Sequence, residues 1–591
     1  MSAVTSVGTR RDAASFADAR PWLSLALLLA LGALIYSPAI LSPPWLDDYF
    51  QASMIEGTYP SPRSPFDLYN FVSDADRDVL LDRGMLPWWT HAHLTVRFLR
   101  PLSSVLLFGE QRLLGHHPLL FHLFSFLWWA AAALSVRSLF RRVLPPRAAL
   151  MATFIFALAP CHALPLIWLA NRDVLVSIVF GVLALSALVR LRESGRAVHA
   201  AVAALLFGVS LLGGEYALSF GGYALALAVT GRKRGALWTR ALTVLSFAVP
   251  AAAYLVVRAR LGYGTEGSGM YHDPLRDPVA FLQRMPRRLV TLLGEGWLTF
   301  DPDTVGPKTS AWLLGASLLL GVIILAVPLR RTLARLRGDP RDHAVWLLVG
   351  SLLALAPVLA VGPAPRVLGA SLVGVAAIVG LILDHVWFPA VPEPPTRGGV
   401  LTGLVALALG FAHFVHGPTT AWVASRICRN EALSFVKHAA ALSARIPEPA
   451  SSEVVLVRGM GGSLFVLPYA LDDTGAPPAR WRMLGLTGHM LVIRRDARTI
   501  DVIVPRDRSL FPSGEGDLFR GDGPHYAPGD TVAIPGMRVT ILEVGEAGPH
   551  RVRFEFPDAL ESPNRVWMED SNDGIHEVVL PEPGFGKPFD P

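Results

Sequence analysis

Long apolar runs alternate with short polar connections along residues 21–419. Eleven of these runs approach the length of about 20 residues that an α-helix needs to cross a hydrocarbon core of about 30 Å, although the fifth and sixth are short. The pattern predicts an all-α polytopic membrane domain of about eleven transmembrane helices. The runs occupy residues 22–41, 118–138, 148–166, 173–190, 198–213, 215–230, 241–258, 311–328, 343–361, 367–387 and 399–417.

Basic residues predict the orientation of this domain. With residues 1–20 placed as a cytoplasmic tail, every second connection carries a basic group, and all of these groups fall on the cytoplasmic side, as membrane proteins prefer. An error of one in the span count would place several of these basic groups on the outer side. The charge pattern therefore supports the span count independently of hydropathy. The groups are Arg137/Arg141/Arg142/Arg147, Arg190/Arg192/Arg196, Arg232/Lys233/Arg234 and Arg330/Arg331/Arg335/Arg337/Arg341.

Two connections on the opposite, outer side are long, at 42–117 and 259–310. Long loops tend to carry function. The first contains an amphipathic stretch, Pro101 to Leu114, that suits a helix lying in the membrane interface. The second contains a stretch of helical pattern, Pro278 to Leu293. Its clustered basic residues are Arg284, Arg287 and Arg288.

The periodicity changes after the last apolar run. Residues 420–445 have the pattern of an amphipathic helix, and from Val454 apolar residues recur with period two between glycine and proline turns. We therefore predict that 420–591 adds this helix and a β-rich soluble domain on the outer, periplasmic side, ending in a tail of about a dozen residues. The clearest strands are Val454 to Val457, Leu491 to Arg494, Thr499 to Val504, Met537 to Val544 and Arg551 to Phe556.

The composition agrees with a bilayer environment. Hydrophobic residues make up 52% of the 591 residues, charged residues only 17%, and the mean hydropathy is +0.42. Soluble domains are more polar than this. The net charge of +6 comes from clusters between apolar runs rather than from one basic face, so it does not indicate a nucleic-acid partner. These features predict an integral, multi-pass protein of an inner (cell) membrane, in contact with membrane lipids.

The clearest candidate for chemistry follows the first apolar run, in the sequence Trp45-Leu46-Asp47-Asp48-Tyr49-Phe50. Two adjacent carboxylates at a membrane surface are costly to place unless something binds them. A helix-end pair anchored by interfacial Trp and Tyr explains the same residues without chemistry. Asp47 and Asp48 are therefore candidate catalytic residues, with Tyr49 as a candidate substrate-binding neighbour.

This region resembles the GT-C superfamily of integral membrane glycosyltransferases, above all the protein O-mannosyltransferases and the aminoarabinose transferases. The acidic pair matches the acidic start of the first outer loop, although many relatives have Glu where this chain has Asp48. The resemblance covers roughly residues 20–300 and does not extend to the C-terminal domain. The other matching segments are Arg100-Pro101-Leu102 through Gly115, His117-Pro118 through His122, Trp168 through Asp173, and Gly214-Glu215.

The resemblance implies a reaction. Members of the superfamily take a sugar from a lipid-phosphate donor, and a carboxylate can remove the proton of the acceptor hydroxyl as it attacks the anomeric carbon. Asp47 or Asp48 is the candidate for this role. The departing polyprenyl phosphate gains negative charge, which guanidinium groups hold well. Candidates for binding the donor phosphate or substrate are Arg100, Arg172, Glu215, Arg284, Arg287, Arg288 and Tyr49.

Structural roles compete with each of these assignments. Arg172 is equally explained as an ion pair that caps the following helix, and Arg100 as an interfacial residue that extends to lipid headgroups. The arginines of the second outer loop also suit a solvated or headgroup-facing surface, and the adjacent Arg287 and Arg288 must point to different sides. Glu215 follows a sharp turn near bilayer depth, where a carboxylate needs a partner, so it is either a site residue or part of the turn.

A divalent metal is a further candidate, because His91 and His93 form a His-x-His pair in the same outer loop as the two aspartates. The spacing is generic, and branches of the superfamily differ in their use of metal, so the sequence leaves the cofactor open.

The sequence thus predicts a GT-C-type glycosyltransferase, with inversion at the anomeric carbon, that transfers a sugar from a polyprenyl-phosphate donor to an acceptor on the outer face. The acceptor is a protein, a lipid or a polysaccharide. A transporter or flippase of a lipid-linked or small polar substrate is one alternative, although transporters place ionisable residues mid-span or in repeated halves. A membrane-anchored carbohydrate-binding or interaction protein, with the β-rich domain as its working part, is another.

Overall fold

The protein is described by a computed structural model, in which a bundle of helices carries the outer loops and a β-rich domain at one end. The predicted tail 1–20, the basic group 232–234 and His116 lie outside the described residues. The structure describes residues 21–115, 117–230, 237–274, 277–300, 311–389, 397–446, 448–459, 467–471, 477–514, 516–521, 525–571 and 574–589.

Helical structure occupies all eleven of the predicted apolar runs, in part as short or broken pieces. The helices are α1 Pro21–Ile35, α2 Ser37–Ile40, α3 Asp47–Glu56, α4 Arg77–Arg83, α5 Pro101–Leu114, α6 Pro118–Val143, α7 Pro146–Ala157, α8 Ala163–Ile167, α9 Asp173–Ser194, α10 Val198–Gly213, α11 Gly221–Thr230, α12 Leu237–Arg260, α13 Pro278–Leu298, α14 Ala311–Arg335, α15 Asp339–Leu353, α16 Gly369–Trp387, α17 Arg397–Phe411, α18 Gly417–Ser443 and α19 Leu467–Ala470.

Fewer of these helices are long enough to cross a membrane than the sequence predicts. Within the described residues, six helices are long and apolar enough to cross a membrane. The number is seven if the bent pair α7 and α8 forms one span. The ten residues of α11 reach only about 15 Å, half of the hydrocarbon thickness. The protein is therefore a multi-pass membrane protein, while the count of eleven spans stays a prediction.

The break between α7 and α8 shows how an interrupted helix is accommodated in the bundle. The two segments meet at 44°, and Pro160 at the break has no N–H to continue the helical hydrogen bonds. The break leaves carbonyl groups without helical hydrogen-bond partners, and polar side chains donate to them instead. The Tyr36 hydroxyl lies within 3.1 Å of the Ala157 carbonyl oxygen and 2.8 Å of the Ala159 carbonyl oxygen, and Trp129 Nε1 donates to Ala157. Backbone groups in a bilayer need such internal partners because no water can replace them.

The two long outer loops form one body. Strands β1 (Asn70–Val72) and β2 (Thr95–Arg97) of the first loop pair antiparallel, and β2 pairs in turn with β3 (Gly264–Glu266) of the second loop. The main-chain hydrogen bonds of this small sheet hold the loops against each other. Side chains from both loops can therefore reach one site.

The C-terminal region begins as predicted, with α18 continuing from α17 through one π-helical turn. Two sheets follow, a six-stranded antiparallel sheet of order β13-β6-β7-β10-β9-β8 and a four-stranded mixed sheet of order β12-β11-β4-β5. The strands are β4 Glu453–Arg458, β5 Arg480–Met483, β6 Met490–Arg494, β7 Thr499–Ile503, β8 Thr531–Ile534, β9 Met537–Val544, β10 Pro549–Glu555, β11 Arg565–Ser571, β12 Gly574–Glu577 and β13 Gly586–Phe589.

All five predicted strands are present to within two residues at each end. The predicted C-terminal tail is wrong over 586–589, because β13 pairs with β6 from Gly586 opposite Ile493 to Phe589 opposite Met490. Main-chain pairing at a sheet edge requires no alternation of apolar residues, so the sequence pattern gave no sign of it.

The β-rich domain shares its core with the first outer loop. Trp89, which is fully buried, stacks on Phe511 with 5.2 Å between ring centroids, and Trp88 Nε1 donates to the Leu484 carbonyl at 3.1 Å. Arg482 of the domain donates to the Leu81 carbonyl of the loop at 2.8 Å. The domain therefore lies on the same side of the bundle as Asp47 and the outer loops.

Candidate active site

A cavity of about 380 Å³ lies where the outer ends of several helices meet the two outer loops. Its wall is mostly apolar and aromatic, with a small number of charged groups, as is usual for a small-molecule site. These groups come from segments far apart in the sequence. The charged residues that line it are Asp47, Arg100, Asp173, Glu215, Arg258, Asp273 and Arg366.

Asp47 is the first residue of α3 and borders this cavity. The preceding residue, Leu46, has φ of +50°, a conformation that costs a non-glycine residue on the order of 1–3 kcal/mol and that clusters at functional sites. Removal from water raises the pKa of the Asp47 carboxyl to about 6, with Arg366 and Arg100 nearby acting to lower it. At neutral pH the group is mostly ionised and is a stronger base than an ordinary aspartate.

Asp48 faces away from this cavity and holds the local backbone together. Its Oδ2 accepts a hydrogen bond from the Trp45 N–H, and its Oδ1 accepts one from the Ala170 N–H, each at 2.9 Å. The side chain is 6% exposed. Asp48 thus fixes the start of α3 to the segment before α9, and both of its oxygens are occupied in doing so.

Arg100 and Glu215, which the sequence offered as separate candidates, bind each other in the cavity wall. The Arg100 guanidinium donates to both Glu215 oxygens, at 2.7 and 3.2 Å, and its Nη1 lies 3.3 Å from Asp173 Oδ2. The same guanidinium lies over the rings of Phe98 and Tyr69. This arrangement is an internal ion-pair network rather than an extension to lipid headgroups, and it supplies the partner that the turn carboxylate requires.

Gly214 makes this close packing possible. A Cβ built on Gly214 would lie 2.8 Å from Asp173 Oδ2 and 3.5 Å from Arg100 Nε. Any larger residue would therefore push against the ion-pair network. The Gly-Glu motif thus has a steric reason for its glycine.

Arg172 and Tyr49 lie outside the cavity wall. Arg172 is 3% exposed and donates to Glu110 Oε2 at 2.5 Å and to the Phe121 carbonyl at 3.3 Å. It does form an ion pair, but across helices to α5 rather than as a cap on its own helix. Tyr49 is buried beside a separate cavity of about 110 Å³. These positions do not support contact of either residue with a donor phosphate in the main cavity.

The three arginines of the second outer loop point in different directions from α13. Arg287 is exposed, Arg284 is half-buried and donates to the Ala280 carbonyl, and Arg288 is buried. None of them lines the cavity. Arg288 Nη2 lies 3.0 Å from Nδ1 of His272, a lining residue, so Arg288 contacts the cavity wall without lining the cavity itself.

The sequence reasoning missed Arg258 and Arg366. Arg366 lies over the ring of Trp168, with its guanidinium carbon 4.9 Å from the centroid, and Arg258 ends the seventh predicted span. Both sit at helix ends on the predicted outer side, where basic residues are disfavoured. Each was therefore a usable signal in the sequence, of the same kind as Arg100 and Arg172.

His91 and His93 do not border the cavity either. His91 Nδ1 accepts a hydrogen bond from the His93 backbone N–H at 3.1 Å, and burial together with Arg520 lowers the pKa of His91. Among the described residues, no three His, Cys, Asp or Glu side chains are grouped as a metal site. The placement of this pair gives the metal hypothesis no support.

The chain matches no protein-family model and no curated protein sequence. Similar solved structures are found. One is the oligosaccharyltransferase of Archaeoglobus fulgidus with a tethered acceptor peptide, at 14% identity and a TM-score of 0.42, covering 79% of this chain and 64% of that one. Another is ArnT from Cupriavidus metallidurans bound to undecaprenyl phosphate, at 13% identity and a TM-score of 0.40, covering 79% of this chain and 86% of that one. A third is the mycobacterial arabinofuranosyltransferase AftD, at 15% identity and a TM-score of 0.38, covering 78% of this chain and 33% of that one.

These structures are membrane glycosyltransferases of the GT-C superfamily, to which the sequence motifs also point. The chain spans less than two thirds of the archaeal oligosaccharyltransferase. Similarity at this level transfers neither substrate nor residue roles, so the function must be inferred from the residues of this chain.

Proposed function

We propose that this protein is a membrane glycosyltransferase that moves a sugar from a polyprenyl-phosphate donor to the hydroxyl group of an acceptor. The observation that carries the proposal is the cavity in which Asp47 faces arginines from three different segments, Arg100, Arg258 and Arg366. A carboxylate base and a cationic anion site in one enclosed space are the two groups that this reaction requires.

Asp47 acts as the general base. The acceptor oxygen forms a bond to the anomeric carbon while the bond from that carbon to the phosphate oxygen breaks, and the hydroxyl proton passes to the Asp47 carboxylate. A single displacement of this kind inverts the anomeric centre. The raised pKa of Asp47 suits the role, because a stronger base takes the proton more readily while remaining ionised at neutral pH.

Arg258 and Arg366 are the groups that receive the departing phosphate. Arg100 is already neutralised by Glu215 and Asp173, whereas neither Arg258 nor Arg366 lies within ion-pair distance of a carboxylate in the described part of the chain. A guanidinium is always charged and binds phosphate oxygens through two parallel N–H groups. In a mostly apolar cavity such a group gains from an anion that develops charge during the reaction.

The reaction takes place on the outer face of the membrane in this proposal. Asp47, the outer-loop sheet and the β-rich domain lie at one end of the bundle, and the arginine clusters Arg141/Arg142 and Arg190/Arg192 lie at the other ends of their helices. The preference of basic loops for the cytoplasm supports a cell membrane with Asp47 and residues 420–591 outside.

The test is transfer by the purified full-length protein in vesicles that contain polyprenyl-phosphate-linked sugars, scored as release of polyprenyl phosphate. Asp47→Asn removes the base but keeps the shape of the side chain, so we expect release to fall by about 10²- to 10⁴-fold. Asp74→Asn is the matched control, since Asp74 is an exposed carboxylate of the same loop outside the cavity. Full activity of the Asp47→Asn protein would contradict the proposal.

The same vesicles separate the proposal from transport. A flippase moves its lipid-linked substrate between leaflets without breaking the bond from sugar to phosphate. Lipid translocation that persists in the Asp47→Asn protein, with no polyprenyl phosphate released by the wild type, would favour the flippase.

A further inference from the structure

A second cavity of about 460 Å³ lies between the first outer loop and the β-rich domain. It meets the main cavity at a shared wall that includes Asp47, Trp168, Tyr271 and Arg366. The proposed base and Arg366 therefore border both spaces, whereas Arg258 lines the main cavity alone. We call this second space the chamber.

The charges of the chamber differ from those of the main cavity. Apart from the shared Asp47 and Arg366, its charged lining residues are Glu431 of α18 and Asp517 of the β-rich domain, and both are acidic. The main cavity has carboxylates too, but it adds Arg100 and Arg258, whereas the described lining of the chamber adds no cation to Arg366, so a phosphate group is disfavoured in the chamber. The donor phosphate therefore belongs on the side of Arg100 and Arg258, and the chamber is left for the other substrate.

The rest of the chamber wall is aliphatic and aromatic. Leu86 and Leu94 of the first outer loop, Met270 of the second, and Leu518 and Phe519 of the β-rich domain contribute to it. An apolar group is stabilised when it leaves water and is buried against such a surface, whereas an extended polar sugar chain or peptide backbone would lose hydrogen bonds to water.

A helix that continues out of the membrane borders the chamber through Glu431. The continuous helix Gly398–Ser443 has 46 residues, about 69 Å, so more than half of it extends past a hydrocarbon core of about 30 Å. Glu431 on this helix is both exposed and part of the chamber wall. Ile427, one turn earlier on the same face, is 61% exposed. Glu431 lies 33 residues, about 50 Å, along the helix from Gly398 and thus about 20 Å beyond the core, and the exposed face of the helix leads from the membrane towards it.

From the apolar wall, the acidic lining and the exposed helix face that leads from the membrane to the chamber, we infer that the chamber binds the acceptor and that the acceptor is an uncharged lipid bearing a hydroxyl group. Its apolar part lies between the outer loops and the β-rich domain, and its hydroxyl reaches Asp47 from the side opposite the donor phosphate. The β-rich domain is thus a wall of the acceptor site. This inference rests on the proposed glycosyl transfer for the role of the hydroxyl, but the binding of the lipid can be measured separately.

The test is photolabelling of the full-length protein in vesicles with a monoacylglycerol that carries a diazirine, followed by mapping of the labelled peptides. We expect labels within residues 80–96 and 516–519. Leu518→Trp and Met270→Trp place a larger side chain in the chamber from two different segments, and each should lower this labelling by about tenfold, which corresponds to about 1.4 kcal/mol of binding free energy. Val579→Trp, at an 80% exposed position of the same domain, is the matched control and should label as the wild type does.

Labelling confined to the membrane-spanning helices, or undiminished in both tryptophan variants, would overturn the inference. So would stronger labelling of the chamber by a diazirine-bearing alkyl phosphate or by an apolar serine-containing peptide with the same group. Asp47→Asn should label normally, because the base does not fill the chamber. Normal labelling with retained transfer in that variant would refute the proposed base and leave the chamber assignment standing.

Discussion

Asp47 and Asp48 are adjacent in the chain but serve opposite surfaces of the first turn of α3. The Asp47 side chain borders both the main cavity and the chamber, whereas both Asp48 oxygens accept backbone hydrogen bonds, from Trp45 and Ala170. The strained φ of Leu46 sets this turn. The acidic pair is thus one carboxyl group that borders the cavities and one structural group that holds it in place.

Asp48→Asn should therefore impair stability more than chemistry. An asparagine retains one acceptor oxygen, but its NH₂ group would face a backbone N–H that no longer has a partner, at a cost of about 1–3 kcal/mol. We expect a lower thermal unfolding midpoint and a loss of transfer well below that of Asp47→Asn. Loss of all transfer in an Asp48→Asn protein with wild-type stability would instead identify Asp48 as the base.

Burial of Asp47 also predicts a cost to the fold. Its pKa in the folded protein is about 6, above the ordinary 3.8, so the folded state binds more protons than the unfolded state between these values. Stability attributable to this group therefore falls as pH rises through about 4 to 6, and the ionised carboxylate is unfavourable above that range. We expect Asp47→Asn to unfold at the same or a higher temperature than the wild type at pH 7. A clear loss of stability at pH 7 would mean that Asp47 has a structural role.

Much of the fold is encoded in local patterns, and less of the site is. Apolar runs place the helices, and period-two alternation places strands such as β7 and β9, because each depends on residues close in sequence. The different positions of the Asp47 and Asp48 side chains depend on a hydrogen bond to Asp48 from the backbone amide of Ala170, more than a hundred residues away. The pairing of Arg100 with Glu215 likewise joins two outer segments that only the assembled bundle brings together. The order of the motifs along the chain indicated a shared site, but it could not show which charged groups form ion pairs with each other.

Gly214→Ala should disturb the site without removing any functional group. The new methyl group would lie 2.8 Å from Asp173 Oδ2, so the ion pairs of Arg100 must shift. A misplacement of about 1 Å near a reacting centre can cost on the order of 10²-fold in rate. We expect transfer to fall at unchanged expression, measured with the vesicle assay. Gly208→Ala is the control, because a Cβ there meets nothing within 4 Å, and equal loss in both variants would contradict this explanation.

Trp89→Ala should loosen the β-rich domain from the outer loop. The ring is fully buried against Phe511, and truncation of a buried tryptophan costs about 3–5 kcal/mol. We expect limited proteolysis of the protein in membranes to release a C-terminal fragment much faster than in the wild type. Trp22→Ala, at a 66% exposed position on α1, is the control. Because this core is shared, residues 450–591 expressed alone should show no cooperative unfolding, and a well-folded isolated fragment would contradict the prediction.

In the proposed reaction, Arg366 should influence the pH at which transfer begins. If Asp47 is the base, kcat/KM rises with pH as the carboxyl ionises, with a midpoint near its pKa of about 6, and then levels off. Arg366 stabilises the ionised form, so Arg366→Gln raises the pKa of Asp47 and moves this midpoint to higher pH. Arg258→Gln also removes a cation from the cavity wall, but the cations that chiefly lower the pKa of Asp47 are Arg366 and Arg100. It should lower the rate through weaker phosphate binding while leaving the midpoint in place. A midpoint that moves equally in both variants, or in neither, would show that the rate does not report the ionisation of Asp47.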